Sequence, residues 1–163
     1  MTVPARIAEF LGAKGVSFEE VAHEETYASI DEARALGIAA DEVAKVLVVR
    51  STAGPELFAL PASTRLDLKA AARLLGDPHA RLATEDEMAA EFPDYALGSV
   101  PPLAELIGAR LFIDDALAAH ETIVFAAGTH TDSIRMRVAD LRALGPHTAA
   151  PIREEGGKDD RGL

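Results

Sequence analysis

Lys45 stands inside the apolar run Val43-Ala44-Lys45-Val46-Leu47-Val48-Val49. The density of β-branched residues reads as a largely buried strand. An ammonium placed there must find a counter-charge, reach water along its stem, or face a cleft that takes an anion. The choice of residue adds weight, since arginines outnumber lysines 12 to 4 in this chain. A purely structural role also fits, that of an edge-strand lysine blocking unwanted pairing. The segment Gly98-Ser99-Val100-Pro101-Pro102 is the second chemical candidate. Its glycine permits a positive φ, while its prolines fix φ and remove two N–H donors. Such a loop presents carbonyls and one or two N–H groups in a stiff array suited to a small polar ligand, although a plain connector has the same composition. Ser99 has none of the GxSxG context of a nucleophile elbow. The third candidate is the polar turn Gly128-Thr129-His130-Thr131-Asp132, where His130 could orient a water or bond a substrate, or be an exposed turn histidine. The pair Asp114-Asp115 could aim one carboxylate at a cleft, or simply mark a strand end.

Several chemistries are excluded. There is no cysteine, so thiolate catalysis, disulfides and Cys-based zinc sites are ruled out within this sequence. His23, His79, His120 and His147 are scattered without i, i+4 pairing, and no HExxH occurs, so no metal is expected. Neither phosphate-binding motif, GxxxxGK[ST] or GxGxxG, is present, and no cofactor is expected. The formal net charge is −11, and Arg135-Met136-Arg137, with Arg142 beyond it, is the one basic cluster. A protein that wraps a long nucleic acid needs a basic track. A nucleic-acid substrate here would have to be held over a small contact such as a strand end, with any remainder held by a partner protein.

The elements that must position these residues are legible in outline. Residues 4–12 carry helical spacing, residues 16–22 alternate as a strand, and Ser29-Ile30-Asp31-Glu32 has the form of a capping box opening a helix to Leu36. The lysine strand, residues 42–50, turns at Ala53-Gly54-Pro55 into a partner at residues 56–60. Asp67 caps a helix to Leu75. Thr84-Glu85-Asp86-Glu87 is a second capping box, opening a helix to about Phe92. A shaped loop covers residues 93–103. Strands follow at 110–113, 122–126 and 133–138, then a short helix from Asp140 to Gly145. The irregular alternation favours a single α+β domain with a mixed sheet, residues 1–150, and the polar, Gly-rich residues 151–163 predict a disordered tail. No apolar run nears the roughly 20 residues of a membrane span, and residues 1–6 lack a secretory pattern, so a cytoplasmic protein is expected.

The ordered set Val43 to Val49, the Gly98 to Pro102 loop as GxxxP, and Phe125-Ala126-Ala127-Gly128 followed by Ser133-Ile134 resembles the YbaK and prolyl-tRNA-synthetase-associated editing domain family. The strand ending in Pro61-Ala62 and the helix from Leu66 to Leu75 fit the same order, and the resemblance runs from about Pro4 to Leu144. It implies a curved, barrel-like mixed sheet surrounded by helices, and a trans-editing hydrolase that deacylates mischarged aminoacyl-tRNA. The amino acid would be small, such as alanine, cysteine or serine, and tRNA-Pro is one candidate carrier. The partners implied are the tRNA acceptor end and an aminoacyl-tRNA synthetase. On the same analogy Lys45 meets the terminal adenosine phosphate or orients the ester. Gly98, Ser99, Val100, Pro101 and Pro102 grip the aminoacyl group through their backbone, and His130 and Gly128 belong to the site. Asp114, Thr26 and Tyr27 line the pocket. Two other readings stay open on the residues alone: a non-catalytic module binding aminoacyl-tRNA or a synthetase, and a small-molecule esterase.

Overall fold

The computed structural model describes residues 3–154. Helix α1 (Ala5–Ala13) begins behind Pro4 and buries Ile7 and Leu11, one turn apart on its inner face. Strand β1 (Glu19–Ala22) is shorter than the alternation suggests. Helix α2 (Ser29–Leu36) ends at Gly37 with φ 69°, the left-handed closure that glycine makes without strain. A 3-10 turn (Ala40–Glu42) leads into the hairpin of β2 (Val43–Ser51) and β3 (Gly54–Pro61). Helix α3 (Leu68–Leu75) is capped by the Asp67 side chain, which accepts from the Ala70 amide. After β4 (Arg81–Leu82), helix α4 (Glu85–Glu91) opens on the expected Thr84–Glu87 capping box.

Short elements complete the chain: α5 (Ala104–Ile107), β5 (Leu111–Asp114), α6 (Asp115–Ala118), β6 (Thr122–Ala126), β7 (Asp132–Arg137), α7 (Val138–Ala143) and β8 (Thr148–Ala150). Helices α5 and α6, four residues each, are too short to show a helical period in sequence.

One mixed sheet organises the fold, in the order β1-β7-β6-β2-β3-β5-β8, with β4 also pairing β2. Strand β2 runs parallel to β6, and β5 parallel to both β3 and β8; the other pairs are antiparallel. The single α+β domain and mixed sheet are as expected, but the sheet stays open, with β1 and β8 at its ends. Alternation along β2 divides the interior. Ala44 and Val48 join the main core with Ile7, Leu11, Phe125 and Leu141. On the other face Val43 packs under α2 with Ala33 and Val124, while Val49, Phe58 and Leu60 pack under α3 with Ala71. Lys45 belongs to this second face, opposite Leu60, half-buried between the two clusters.

Two sequence expectations are corrected. The Ser29–Glu32 capping box does not form: the N-cap is Ala28, without a side-chain cap bond, and Glu32 is turned inward to the Ser133 hydroxyl. The segment 151–163 was expected to be a disordered tail, but residues 151–154 are built into the fold. Ile152 is fully buried, Arg153 bridges to Leu66, and the Ile152 amide donates to Asp114 at 2.9 Å. The remaining residues, 155–163, lie outside the described residues.

Candidate functional site

Strand β2 is shared between two partners along one edge. Its start pairs β6 at Val43 and Ala44, and its end pairs β4 at Val49 and Arg50. The sheet therefore splits beside residues 45–47. One step along the parallel register from Ala44↔Phe125 sets Lys45 level with Ala126, and period-two alternation puts both on the second face. The chain then turns at Gly128, which ties the proline loop to this split. The Gly128 amide donates to the Ser99 carbonyl at 2.8 Å, and the Ala96 amide donates to the Gly128 carbonyl at 2.9 Å. Glycine is required at this point. Its φ is +90°, and a Cβ would lie 3.1 Å from Pro4 Cγ and 3.4 Å from Tyr95 Cδ1.

A small open pocket, about 220 Å³ including its mouth, lies at this place. Thr26 and Tyr27 form one wall, Gly98 another, and Thr129 and His130 a third, with Ala126 at the sheet. His130 holds the walls together. Its Nε2 lies 2.7 Å from the Leu97 carbonyl, its own carbonyl accepts from the Thr26 amide at 2.9 Å, and the Tyr27 ring meets it edge-on at 4.5 Å. A carbonyl only accepts, so Nε2 carries a proton and Nδ1 holds the lone pair of the neutral ring. Gly98 adopts φ +82°, with its Cα hydrogens against the Tyr27 carbonyl, where a Cβ would approach to 3.3 Å.

Two residues that sequence reasoning passed over also face this pocket: Glu32 and His23. Their side chains meet through Ser133, whose position on β7 is fixed opposite Ala126. The Ser133 hydroxyl bonds the Glu32 carboxylate, and His23 Nε2 lies 2.8 Å from the same oxygen. His23 Nδ1 lies 2.7 Å from the Glu24 carbonyl. Burial pushes the Glu32 carboxyl above the usual carboxylate range, against the opposing pull of the Ser133 hydroxyl and the His23 charge. Glu32 looked like a helix cap in sequence, and 101 residues separate it from Ser133. No local signal set it apart from a cap, because Ser29 and Glu32 have the spacing of a capping box.

The other expected site residues are placed differently. Ser99, Val100, Pro101 and Pro102 are buried, with the Ser99 hydroxyl donating to the Ala96 carbonyl at 2.6 Å. They run behind the Gly98 wall, and Pro102 reaches a larger cavity of about 450 Å³ beside Phe10, Arg110 and Leu144. That cavity is lined mainly by apolar groups, with the Arg110–Glu56 ion pair and Glu105 among its polar lining. Asp114 does not reach the small pocket. Its fully buried carboxylate caps α6 at the Ala116 amide, accepts from the Ile152 and Arg153 amides, and pairs with Arg153. These contacts use it as an anchor for the C-terminal segment. Among the described residues no group of three His, Asp or Glu side chains could hold a metal ion, and no helix is long and apolar enough to cross a membrane.

The split in the sheet, the glycine turn and the histidine that closes on it together enclose one small pocket beside the mixed sheet. The description of the aminoacyl-tRNA editing domain matches residues 23–144, three quarters of the sequence. The chain belongs to that family. Among solved structures it is similar to one described as a candidate trans-editing enzyme for prolyl-tRNA synthetase, with 28% identity, a TM-score of 0.81, and coverage of 92% of this chain and 96% of the other. It is similar also to a scaffold used for epitope backbone grafting by computational design, with 26% identity, a TM-score of 0.80 and coverage of 92% and 96%. A protein described only as hypothetical shares the fold at 24% identity, with a TM-score of 0.81 and coverage of 91% and 99%. No curated protein matches the sequence significantly.

Proposed function

We propose that the protein is a cytoplasmic trans-editing hydrolase that removes a small amino acid, such as alanine, cysteine or serine, from mischarged tRNA, with tRNA-Pro the first candidate carrier. The observation that carries this reading is the convergence of the Gly98 turn, His130 and the Thr26–Tyr27 segment on one small pocket, on the sheet face that bears Lys45. An aminoacyl ester is activated, so positioning a water and stabilising the developing oxyanion supply most of what catalysis needs. In this scheme the water oxygen attacks the ester carbonyl and the ribose oxygen leaves, regenerating the diol and releasing the free amino acid.

Lys45 is assigned to the terminal adenosine phosphate, where an ammonium anchors without a basic groove. That role reconciles an acidic chain with an RNA substrate, since only the acceptor end is gripped. The Gly98 backbone is assigned to the acyl group, and His130, through Nδ1, to the attacking water. The modest pocket volume favours a small side chain.

The test is release of amino acid from a panel of mischarged tRNAs by the purified protein. Lys45→Ala is expected to lower kcat/KM by about 10- to 150-fold, the value of one charge-assisted hydrogen bond of about 1.5–3 kcal/mol. A panel left wholly intact by freshly prepared protein would defeat the proposal.

A further inference from the structure

We propose that Glu32 is the receptor for the α-ammonium of the aminoacyl group, an inference that rests on the deacylase reading above. Glu32 is the one carboxylate lining the small pocket, and it is 2% exposed. One of its oxygens, Oε2, is fixed by the Ser133 hydroxyl, itself fully buried on β7. A carboxylate supplies the acceptor that an ammonium requires. Every aminoacyl ester carries that ammonium on the carbon next to the carbonyl under attack. A carboxylate held against β7 therefore fixes both the orientation of the acyl group and its identity as an amino acid.

Proton counting explains how such a group is kept in an apolar setting. The Glu24 carbonyl can only accept, so His23 Nδ1 is protonated, and Nε2 faces the Ser133 oxygen. Ser133 has one hydrogen for two neighbours. The three side chains are fully hydrogen-bonded in two arrangements, each with no net charge. In one, Glu32 is protonated and donates to Ser133, which donates to neutral His23. In the other, protonated His23 donates to Ser133, which donates to ionised Glu32.

Burial opposes charge on Glu32 and so leans toward the first arrangement while the pocket is empty. An arriving ammonium favours the second. The Glu32 O–H bond breaks and its proton passes to the Ser133 oxygen, while the Ser133 proton passes to His23 Nε2. No proton enters or leaves the trio. The carboxylate that meets the cation is thus formed within the trio.

The competing role is mechanical. The same bonds pin residues 23–29 to β7 and so hold Thr26 and Tyr27 in place. The two roles separate on a pair of esters of equal size. Alanyl-tRNA carries the ammonium, and lactyl-tRNA carries a hydroxyl in its place. Each rate is divided by that ester's uncatalysed hydrolysis.

With the unmodified protein, kcat/KM for the lactyl ester is expected to fall at least 30-fold below that for the alanyl ester. Glu32→Gln should bring the alanyl ester down to a similar level while leaving the lactyl ester within threefold of its original value, so that the discrimination collapses. Ser133→Ala, which removes only the fixing hydroxyl, should reduce the discrimination in part; this variant and the unmodified pair decide the matter if Glu32→Gln does not fold. Equal cleavage of both esters by the unmodified protein overturns the inference while leaving the deacylase reading standing. So does a Glu32→Gln variant that loses both esters in proportion, the mark of a structural role. Cleavage of neither ester by the unmodified protein removes the deacylase reading, and this inference with it.

Discussion

Replacing Asp114 by alanine tests whether this carboxylate is an anchor or part of the substrate site. The side chain is fully buried and serves three amides, those of Ala116, Ile152 and Arg153, at 2.9, 2.9 and 3.2 Å. The lost helix cap costs about 1 kcal/mol. The Ile152 amide, buried with its side chain, is left without an acceptor at about 1–3 kcal/mol. The Arg153 amide and guanidinium lie on a residue whose side chain is 41% exposed, so water replaces much of what they lose and together they add about 1 kcal/mol.

The sum is about 3–5 kcal/mol. At about 2–4 °C per kcal/mol for a domain of this size, the melting temperature falls by about 6–20 °C. Circular-dichroism melting at pH 7 measures the shift, and alanyl-tRNA hydrolysis well below the transition measures the site. The expected outcome is a large thermal loss with kcat/KM retained within twofold. A shift below 3 °C would refute the anchoring argument. Activity lost from a fully folded variant would return Asp114 to the pocket that the sequence reading assigned it.

Two further perturbations probe the supports of the site. Gly128→Ala places a Cβ 3.1 Å from Pro4 Cγ at a φ of +90°, so we expect a loss of about 2 kcal/mol in urea unfolding and faster proteolysis within residues 93–98; unchanged stability would remove the case for glycine there. Glu87 is held down to about 2 from an ordinary 4.5, first by its bond to the Arg81 guanidinium and then by the Thr84 amide. Because its folded value is the lower one, its contribution is complete above pH 4.5 and is lost as the pH falls toward 2. Glu87→Gln should therefore be less stable than the parent by a constant amount above pH 5, with the gap closing below that; a gap that persists to pH 2 would mean another group carries the acid dependence.

Much of the architecture was readable before any coordinates. The β-branched run at residues 43–49 and the Asp67 and Thr84 caps are local signals, and each element they predict is present. Local signals misled where one residue type serves two purposes. Ser29 and Glu32 have the spacing of a capping box, yet packing against β7 turns Glu32 inward, where burial beside Ser133 and His23 outweighs a surface cap. The residues after Pro151 are polar and Gly-rich as a block, yet Ile152 alone, with Asp114 waiting below it, carries the first of them into the core.

Lys45, Gly98 and His130 stood out by type because each is unusual in its own stretch of chain. Their surroundings did not, because strand order and register decide them: β6 and β4 part along one edge of β2, and β7 places Ser133 beside a helix 101 residues away. By itself, then, the sequence determined the longer elements, the mixed α+β class and the residues fit for chemistry, since those follow from side-chain period and backbone preference within a few positions. Only the tertiary structure decided that Glu32 and His23 share the pocket and that Asp114 does not, because long-range pairing is a property of the packed whole and leaves no trace in local spacing.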